Sequence, residues 1–158
     1  MKRLTFILLI TVSAFMIAFT NQGCVSSYGN YPITYVFDDP QFVSIIEGKT
    51  LPVEIRYGLG GEGGYEQWSS SDSEMINRYI DVFRNMEIKR EITDNEEFVN
   101  IADAINDYSF CLKDGTEIQI SFELNKYVTK DDKQYEFVYS DELNSLNKEI
   151  EGYTDDKK

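Results

Sequence analysis

The sequence predicts an α+β fold, a single small domain in which an antiparallel β-sheet carries two or three helices on one face. Several short segments alternate between apolar and polar residues, as half-buried strands do. Other segments repeat apolar residues at helical spacing behind residues that cap helices, such as those near Ser71 and Ser140. Without a predicted leader of 23 residues, the 158-residue chain retains 135 residues, a length that suits one domain.

The leader has the pattern of an export signal. Lys2 and Arg3 precede an apolar run, and no charged residue occurs from Leu4 to Phe37. The run is slightly shorter than the roughly 20 apolar residues that a spanning helix needs, which favours cleavage over retention as an anchor. Because basic residues stay on the cytoplasmic side, the chain after Cys24 is expected outside the cytoplasm.

The residues around Cys24 resemble a bacterial lipoprotein precursor, in which a small residue precedes a Cys that is diacylated and becomes the new N-terminus. Gly23-Cys24-Val25-Ser26-Ser27 fits that pattern, whereas Asn21 and Gln22 stand where such signals carry an aliphatic and a small residue. Several acyl chains of the palmitate type on one Cys would hold a protein stably at a membrane. The resemblance implies lipid on Cys24 at the outer face of the cell membrane. Secretion and an uncleaved N-terminal anchor are the alternatives.

A polar tether at residues 24–32 is predicted to precede the folded domain at residues 33–152. Alternation and turn residues place strands at Ile33–Phe37, Phe42–Ile46 and Leu51–Tyr57. The glycine-rich segment that follows, up to Gly64, predicts a flexible connection between strands. A phosphate-binding loop is not expected there, because no Lys followed by Ser or Thr opens a helix after it.

Capping signals predict the helices. Ser71 with Glu74, and Thr93 with Glu96, have the spacing of a capping box. The predicted helices are Asp72–Asn85, Asp94–Ile105 and one that begins with Ser140 as its N-cap and stops at Gly152. Residues 153–158 are expected to form a disordered, charged tail.

The segment around Gly115 predicts a hairpin with a three-residue loop. Such a loop sets Phe110 against Ile118 and Tyr108 against Ile120, so that the apolar side chains of both strands share one face. A two-residue loop would place the apolar side chains of the two strands on opposite faces of the sheet. The loop requires a bulge with Gly115 in the left-handed region. The other strands are predicted at Met86–Ile92, Lys126–Thr129 and Gln134–Tyr139.

The second half of the chain, roughly residues 71 to 150, resembles small lipoproteins of unknown function from Gram-positive bacteria. That family implies no catalytic residue. The resemblance rests on Ser71, Asp72, Glu74, Ile76, Tyr79, Ile80 and Phe83, on Asp107-Tyr-x-Phe-x-Leu-x-Asp-Gly-Thr-x-Ile-x-Ile-x-Phe122, and on Tyr135 and Leu143.

The chemistry of the side chains argues against an enzyme. The chain has no His and two Cys, which removes Ser–His and Cys–His nucleophiles and thiolate zinc sites. Cys111 is expected to be a buried, inert thiol. The acidic segments Asp94–Glu97 and Asp131–Asp132 lack the alternating spacing of a calcium loop. We therefore expect no catalytic residue, no metal and no cofactor.

Charge and aromatic residues suggest a binding function. The formal charge of −13 argues against nucleic acid and against anionic lipid surfaces. Tyr57, Tyr65 and Trp68 flank the glycine-rich segment and form a candidate ligand surface, although covering a sheet edge would also explain them. The sequence thus favours a binding or interaction module for a protein or cell-envelope component. The alternatives are an inhibitor or immunity-type protein that acts on an external enzyme, and a hydrolase that uses carboxylates.

Overall fold

A computed structural model of the protein describes residues 31–61, 63–92, 105–124, 126–131, 133–138 and 140–155. One antiparallel eight-stranded sheet dominates it, which confirms the predicted α+β class. Its strands are β1 Tyr31–Pro32, β2 Glu54–Gly61, β3 Gly64–Ser70, β4 Glu87–Ile92, β5 Ile105–Cys111, β6 Glu117–Glu123, β7 Tyr127–Lys130 and β8 Lys133–Phe137. The helices are a short 3-10 turn, Ile33–Tyr35, and α1 Pro40–Ile46, α2 Ser73–Arg84 and α3 Asp141–Asp155.

The order of the strands places the start of the described chain far from the β2–β3 hairpin. The order across the sheet is β1-β4-β8-β7-β6-β5-β2-β3. Six strands lie between the two edge strands, β1 and β3. The chain that follows β1 returns across the sheet, because the Phe42 ring of α1 lies 6.1 Å from the Phe110 ring on β5, between centroids.

The three described α-helices contribute to one apolar core on one face of the sheet. The buried apolar stripe of α2 consists of Met75, Ile76, Tyr79, Ile80 and Phe83. The Phe83 ring lies 5.1 Å from the ring of Tyr108, 5.8 Å from that of Phe110 and 6.1 Å from that of Phe122, between centroids. Close aromatic contacts of this kind add to the stability that buried area supplies.

The first two predicted strands are wrong. Ile33–Phe37 begins with the 3-10 turn, and Phe42–Ile46 lies in α1. The Asp39 carboxylate accepts hydrogen bonds from the amides of Gln41 and Phe42 at 2.8 and 3.0 Å, and Pro40 occupies the first helical turn. Asp-Pro is thus a helix start here, although it also suits a turn.

The α2 helix confirms the prediction except at its first residue. Asp72, not Ser71, is the N-cap, and its carboxylate accepts the Glu74 amide at 2.8 Å. The predicted strand at Met86–Ile92 is confirmed as β4. The second predicted helix, Asp94–Ile105, lies outside the described residues apart from Ile105, which begins β5 and not a helix end.

The predicted bulged hairpin is confirmed in detail. Phe110 pairs with Ile118 and Tyr108 with Ile120. The Gly115 amide donates to the carbonyl of Leu112 at 3.0 Å, and Gly115 has a φ of +89°. The alternation of polar and apolar residues in the two strands was therefore sufficient to predict a three-residue loop. That loop in turn requires glycine at position 115.

The C-terminal helix begins where predicted and ends later. The Ser140 hydroxyl accepts the amide of Leu143 at 3.1 Å, as an N-cap does. The α3 backbone then continues through Gly152 to Asp155, so the predicted stop is wrong. At the other end, Tyr31 and Pro32 pair with β4, so the last two residues of the predicted tether belong to the sheet.

Candidate functional site

The predicted aromatic surface falls on the hairpin of β2 and β3. The glycine-rich segment was expected to be a flexible connection, and that prediction is wrong for most of it, because Gly58, Gly60 and Gly61 are paired residues of β2. The two strands pair in one continuous register from Ile55↔Ser70 to Gly61↔Gly64. Tyr57 pairs with Trp68, and Gly60 pairs with Tyr65. Because side chains alternate along a strand, Tyr57 and Trp68 face the helices, whereas Tyr65 faces the opposite side. The three aromatic residues therefore do not form one surface.

Tyr57 is a core residue, so its placement on a ligand surface is wrong. Its side chain is 3% exposed, and its ring stacks between those of Trp68 and Tyr108 at 5.5 and 5.4 Å. Its hydroxyl donates to Asn106 Oδ1 at 2.9 Å. Burial, with a contribution from Glu151, raises the pKa of Tyr57 to about 12. The Trp68 ring, half-buried, covers the outer side of this stack.

Tyr65 is the exposed aromatic residue of the hairpin. Its side chain is 54% exposed, yet its ring crosses the backbone of Gly58 on the neighbouring strand. A Cβ at Gly58 would lie 2.0 Å from the Tyr65 hydroxyl oxygen, so only glycine leaves room for this ring position. Burial against the strand and the adjacent Asp107, which also hydrogen-bonds the phenol, raise the pKa of Tyr65.

Strand β3 forms an open edge of the sheet. Among the described residues it pairs with β2 alone, and it spans seven residues without a register shift. Natural edge strands are commonly guarded by Lys, Pro or a bulge, because their unpaired backbone groups can recruit another chain. The sequence of β3 holds no Lys, Arg or Pro and one charged residue, Glu66, and its first four residues are exposed. Within the part of the chain that the structure describes, one side of β3 therefore has no strand partner, and α3 contacts the strand.

A buried polar network lies beneath the hairpin. The Tyr79 hydroxyl donates to Asn147 Oδ1 at 3.1 Å, and Asn147 Nδ2 donates to the Tyr108 hydroxyl at 2.8 Å. Burial raises the pKa of Tyr79 and Tyr108 well above the ordinary value. The phenols are therefore neutral at physiological pH, and the network joins α2, α3 and β5 as a structural element.

The other chemically reactive groups are placed for structure. Cys111 is buried as predicted, and that burial raises the pKa of its thiol. Arg56 lies between the carboxylates of Glu54 and Glu117 at 3.1 and 3.2 Å. No group of three acidic or sulfur ligands that suits a metal occurs among the described residues. The acidic segment Asp94–Glu97 lies outside them.

A basic cluster, which the sequence analysis missed, surrounds Glu136 on β8. The Glu136 carboxylate is 2% exposed and contacts Lys89 Nζ at 2.9 Å, Arg90 Nε at 2.6 Å and Lys126 Nζ at 2.8 Å. Burial raises the pKa of Glu136, but the hydrogen bonds from Lys126, Arg90 and Lys89 outweigh it and lower the pKa to about 2. Only the sheet brings these cations together, because Lys126 is distant in sequence from Lys89.

A shallow cleft lies where α2 ends and α3 begins. Its volume is about 190 Å³, and its lining includes Met86, Glu87, Val138 and Glu142. Sites for drug-sized ligands are usually about 300 to 1,000 Å³. The cleft is therefore too small for a ligand of that size.

Comparison with known proteins gives no family. Within the described ranges, no helix is both long and apolar enough to cross a bilayer, and Cys24 lies outside those ranges. The chain matches no protein-family model, no curated protein and no solved structure.

Proposed function

We propose that this protein is an extracytoplasmic binding module, held at the outer face of the cell membrane by lipid on Cys24, that adds a strand of its partner to β3. One observation carries the binding part of the proposal: β3 is a regular edge of seven residues with no guarding residue. Strand addition supplies affinity through main-chain hydrogen bonds and specificity through alternate side chains.

The side chains on β3 define what the partner strand would meet. Exposed Tyr65 and Gln67 project to the open face, and half-buried Trp68 projects to the helix face. Glu66 gives the edge a negative charge. A partner strand with an aromatic or apolar residue across from Tyr65 and a basic residue near Glu66 would complement this edge. The partner is thus an extended protein segment, not a small molecule.

Photo-crosslinking on intact cells tests the edge. A photoreactive residue at Gln67 is compared with the same residue at Gln119, since both glutamines are exposed on the same face, one on the edge strand and one on a central strand. We expect a covalent partner at Gln67 and none at Gln119. Partners at Gln119 alone, or at neither position, would reject the edge as the binding surface.

The same experiment distinguishes the alternative function. An inhibitor or immunity-type protein should yield one external enzyme in a stoichiometric crosslink, with loss of that enzyme's activity on binding. A binding module should leave the activity of its partner unchanged.

The anchor is tested separately by the intact mass of the N-terminus from isolated membranes, because diacylation on Cys24 adds a mass that simple cleavage does not.

A further inference from the structure

An aromatic stack crosses the helix face of the sheet toward the edge at β3. Tyr108 of β5 pairs with Tyr57 of β2, and Tyr57 pairs with Trp68 of β3. The ring centroids lie 5.4 Å apart between Tyr108 and Tyr57 and 5.5 Å apart between Tyr57 and Trp68. These distances are close to the separation of neighbouring strands, roughly 4.8 Å, so the stack advances by one ring per strand. Among the described residues, Trp68 is the last ring of this stack.

The outer side of the Trp68 ring faces the position of an added strand. Tyr57 stacks on the side of the indole that lies toward β2, so the opposite side lies toward the edge of the sheet. Residues that face each other across two antiparallel strands bring their side chains to about 5 Å from each other. A partner residue across from Trp68 would therefore be the next member of the stack, a position that suits a flat side chain.

The charges around this position favour a cation over a neutral ring. Glu66 lies two residues from Trp68 on the same face of β3, and its side chain is exposed. Between Arg56 and Arg78 the chain holds four acidic residues and no basic residue. The first twelve residues of α3, which contacts β3, hold four acidic residues and one basic residue. The edge beside Trp68 is therefore negative.

We propose that the segment that adds to β3 carries an arginine across from Trp68, with its guanidinium stacked on the indole and paired with Glu66. This inference rests on the proposed strand addition and names the residue of the partner that is recognised. A guanidinium is flat, remains charged and stacks on aromatic rings, whereas a lysine ammonium is a compact point charge. The stack requires a flat group and the acidic edge requires a cation, and arginine meets both requirements at neutral pH.

A panel of short peptides tests the arginine. The probes are labelled peptides of alternating threonine and valine, as long as β3, whose central residue is arginine, lysine, citrulline, phenylalanine or alanine. Citrulline keeps the flat shape of arginine without its charge, and lysine keeps the charge without the flat shape. Fluorescence anisotropy measures their binding to the full chain in a non-ionic detergent. We expect the arginine peptide to bind about fivefold more tightly than the lysine and citrulline peptides.

Variants of β3 assign the preference to its residues. Trp68→Leu keeps an apolar side chain and removes the ring, so the preference for arginine over lysine should fall from about fivefold to about one. Glu66→Gln should reduce the preference for arginine over citrulline to about twofold, because it removes a charge. Tyr65→Leu is the matched control, since Tyr65 lies on the other face of the same strand, and it should leave both preferences unchanged. Should Trp68→Leu fail to fold, the ratios measured on the native chain decide by themselves.

Hydrogen exchange of the β3 amides separates this inference from strand addition itself. Peptides that protect these amides but bind equally well whatever their central residue would overturn the arginine and support strand addition. Tighter binding of the phenylalanine peptide than of the arginine peptide would also overturn the arginine, in favour of a neutral ring. If no peptide protects the β3 amides, strand addition is overturned and the arginine with it.

Discussion

At the scale of single residues, Gly58 and Tyr65 show how one side chain depends on the absence of another. The Tyr65 ring occupies the space that any Cβ at Gly58 would need. Glycine costs a strand roughly 0.5 to 1 kcal/mol relative to alanine, so its presence inside β2 requires a reason. Here the reason is a neighbouring aromatic ring and its hydrogen bond with Asp107.

A double-mutant cycle tests this dependence. Gly58→Ala in the native chain is expected to lower the free energy of unfolding by about 1 kcal/mol, because Tyr65 must leave its position. In a Tyr65→Ala background the same substitution should stabilise by about 0.5 kcal/mol, since alanine suits a strand better than glycine. Urea unfolding of the four proteins measures both effects. If Gly58→Ala changes the free energy of unfolding in the same direction in both backgrounds, the contact between Gly58 and the Tyr65 ring is contradicted.

The Glu136 carboxylate is the second residue with a measurable role. Glu136→Gln is expected to lower the free energy of unfolding by about 2 kcal/mol at neutral pH, because three cations would face one another without their shared carboxylate. The folded pKa of about 2 lies below the ordinary 4.5. The stabilisation is therefore complete above pH 4.5 and is lost as the pH falls toward 2.

Urea unfolding across this pH range provides the measurement. The difference between native protein and Glu136→Gln should shrink steadily as the pH falls below 4.5. Glu123→Gln is the control on the same sheet, because burial raises the pKa of Glu123 and its charge therefore does not stabilise the fold. A constant difference down to the lowest pH would show that the cations do not stabilise the charged form.

At the scale of elements, the starts of α1 and α2 were visible in the sequence but were assigned to the wrong element and to the wrong residue, respectively. Asp39 and Asp72 both accept amide hydrogen bonds as N-caps. In each case a competing signal nearby, the Asp-Asp-Pro turn pattern or the Ser71 capping box, suggested another assignment. Phe42, Ile45 and Ile46 have helical spacing, but seven residues are too few for periodicity to exclude a strand.

The two candidate caps of α2 can be separated by mutation. Asp72→Ala is expected to lower the free energy of unfolding by about 1 kcal/mol, because the Glu74 amide would lose its acceptor. Ser71→Ala should change it by less than about 0.5 kcal/mol, as exposed substitutions usually do. Thermal or urea unfolding of the two variants and the native protein measures both losses. Equal losses from both substitutions would mean that Ser71 shares the capping.

At the scale of the whole molecule, the sheet joins distant segments into one core and separates two kinds of edge. The β1 edge is two residues long and carries Pro32, whereas the β3 edge is seven residues long and open. The alternating faces placed Tyr57 inside and Tyr65 outside, although both flank the same glycine-rich segment. Sequence proximity therefore suggested a shared surface that the pleat of the sheet does not allow.

The buried phenols predict how the whole domain responds to alkali. Burial raises the pKa of Tyr57 from its ordinary 10 to about 12, and it also raises the pKa values of Tyr79 and Tyr108. Between pH 10 and pH 12 the tyrosines of the unfolded chain release protons that the folded chain retains. The contribution of the buried phenols to the free energy of unfolding is therefore fully present below pH 10 and falls as the pH rises toward 12. Tyrosinate absorbance and circular dichroism should therefore change together in one cooperative transition.

An exposed tyrosine provides the control for this transition. Tyr35 is 48% exposed, so Tyr35→Phe should leave the midpoint of the alkaline transition unchanged. Ionisation of all the tyrosines before any change in circular dichroism would contradict the buried network.

The sequence by itself determined the α+β class, the register of the β5–β6 hairpin, the presence of β4 and the start of α3. These features depend on local periodicity, on turn geometry and on a cap, all of which act over a few residues. Only the tertiary structure decided that β3 is an edge, that Tyr57 is in the core, and that Lys89, Arg90 and Lys126 meet at Glu136. Strand order and long-range pairing leave no periodic mark in the sequence, because they are fixed by how the elements bury their apolar faces together.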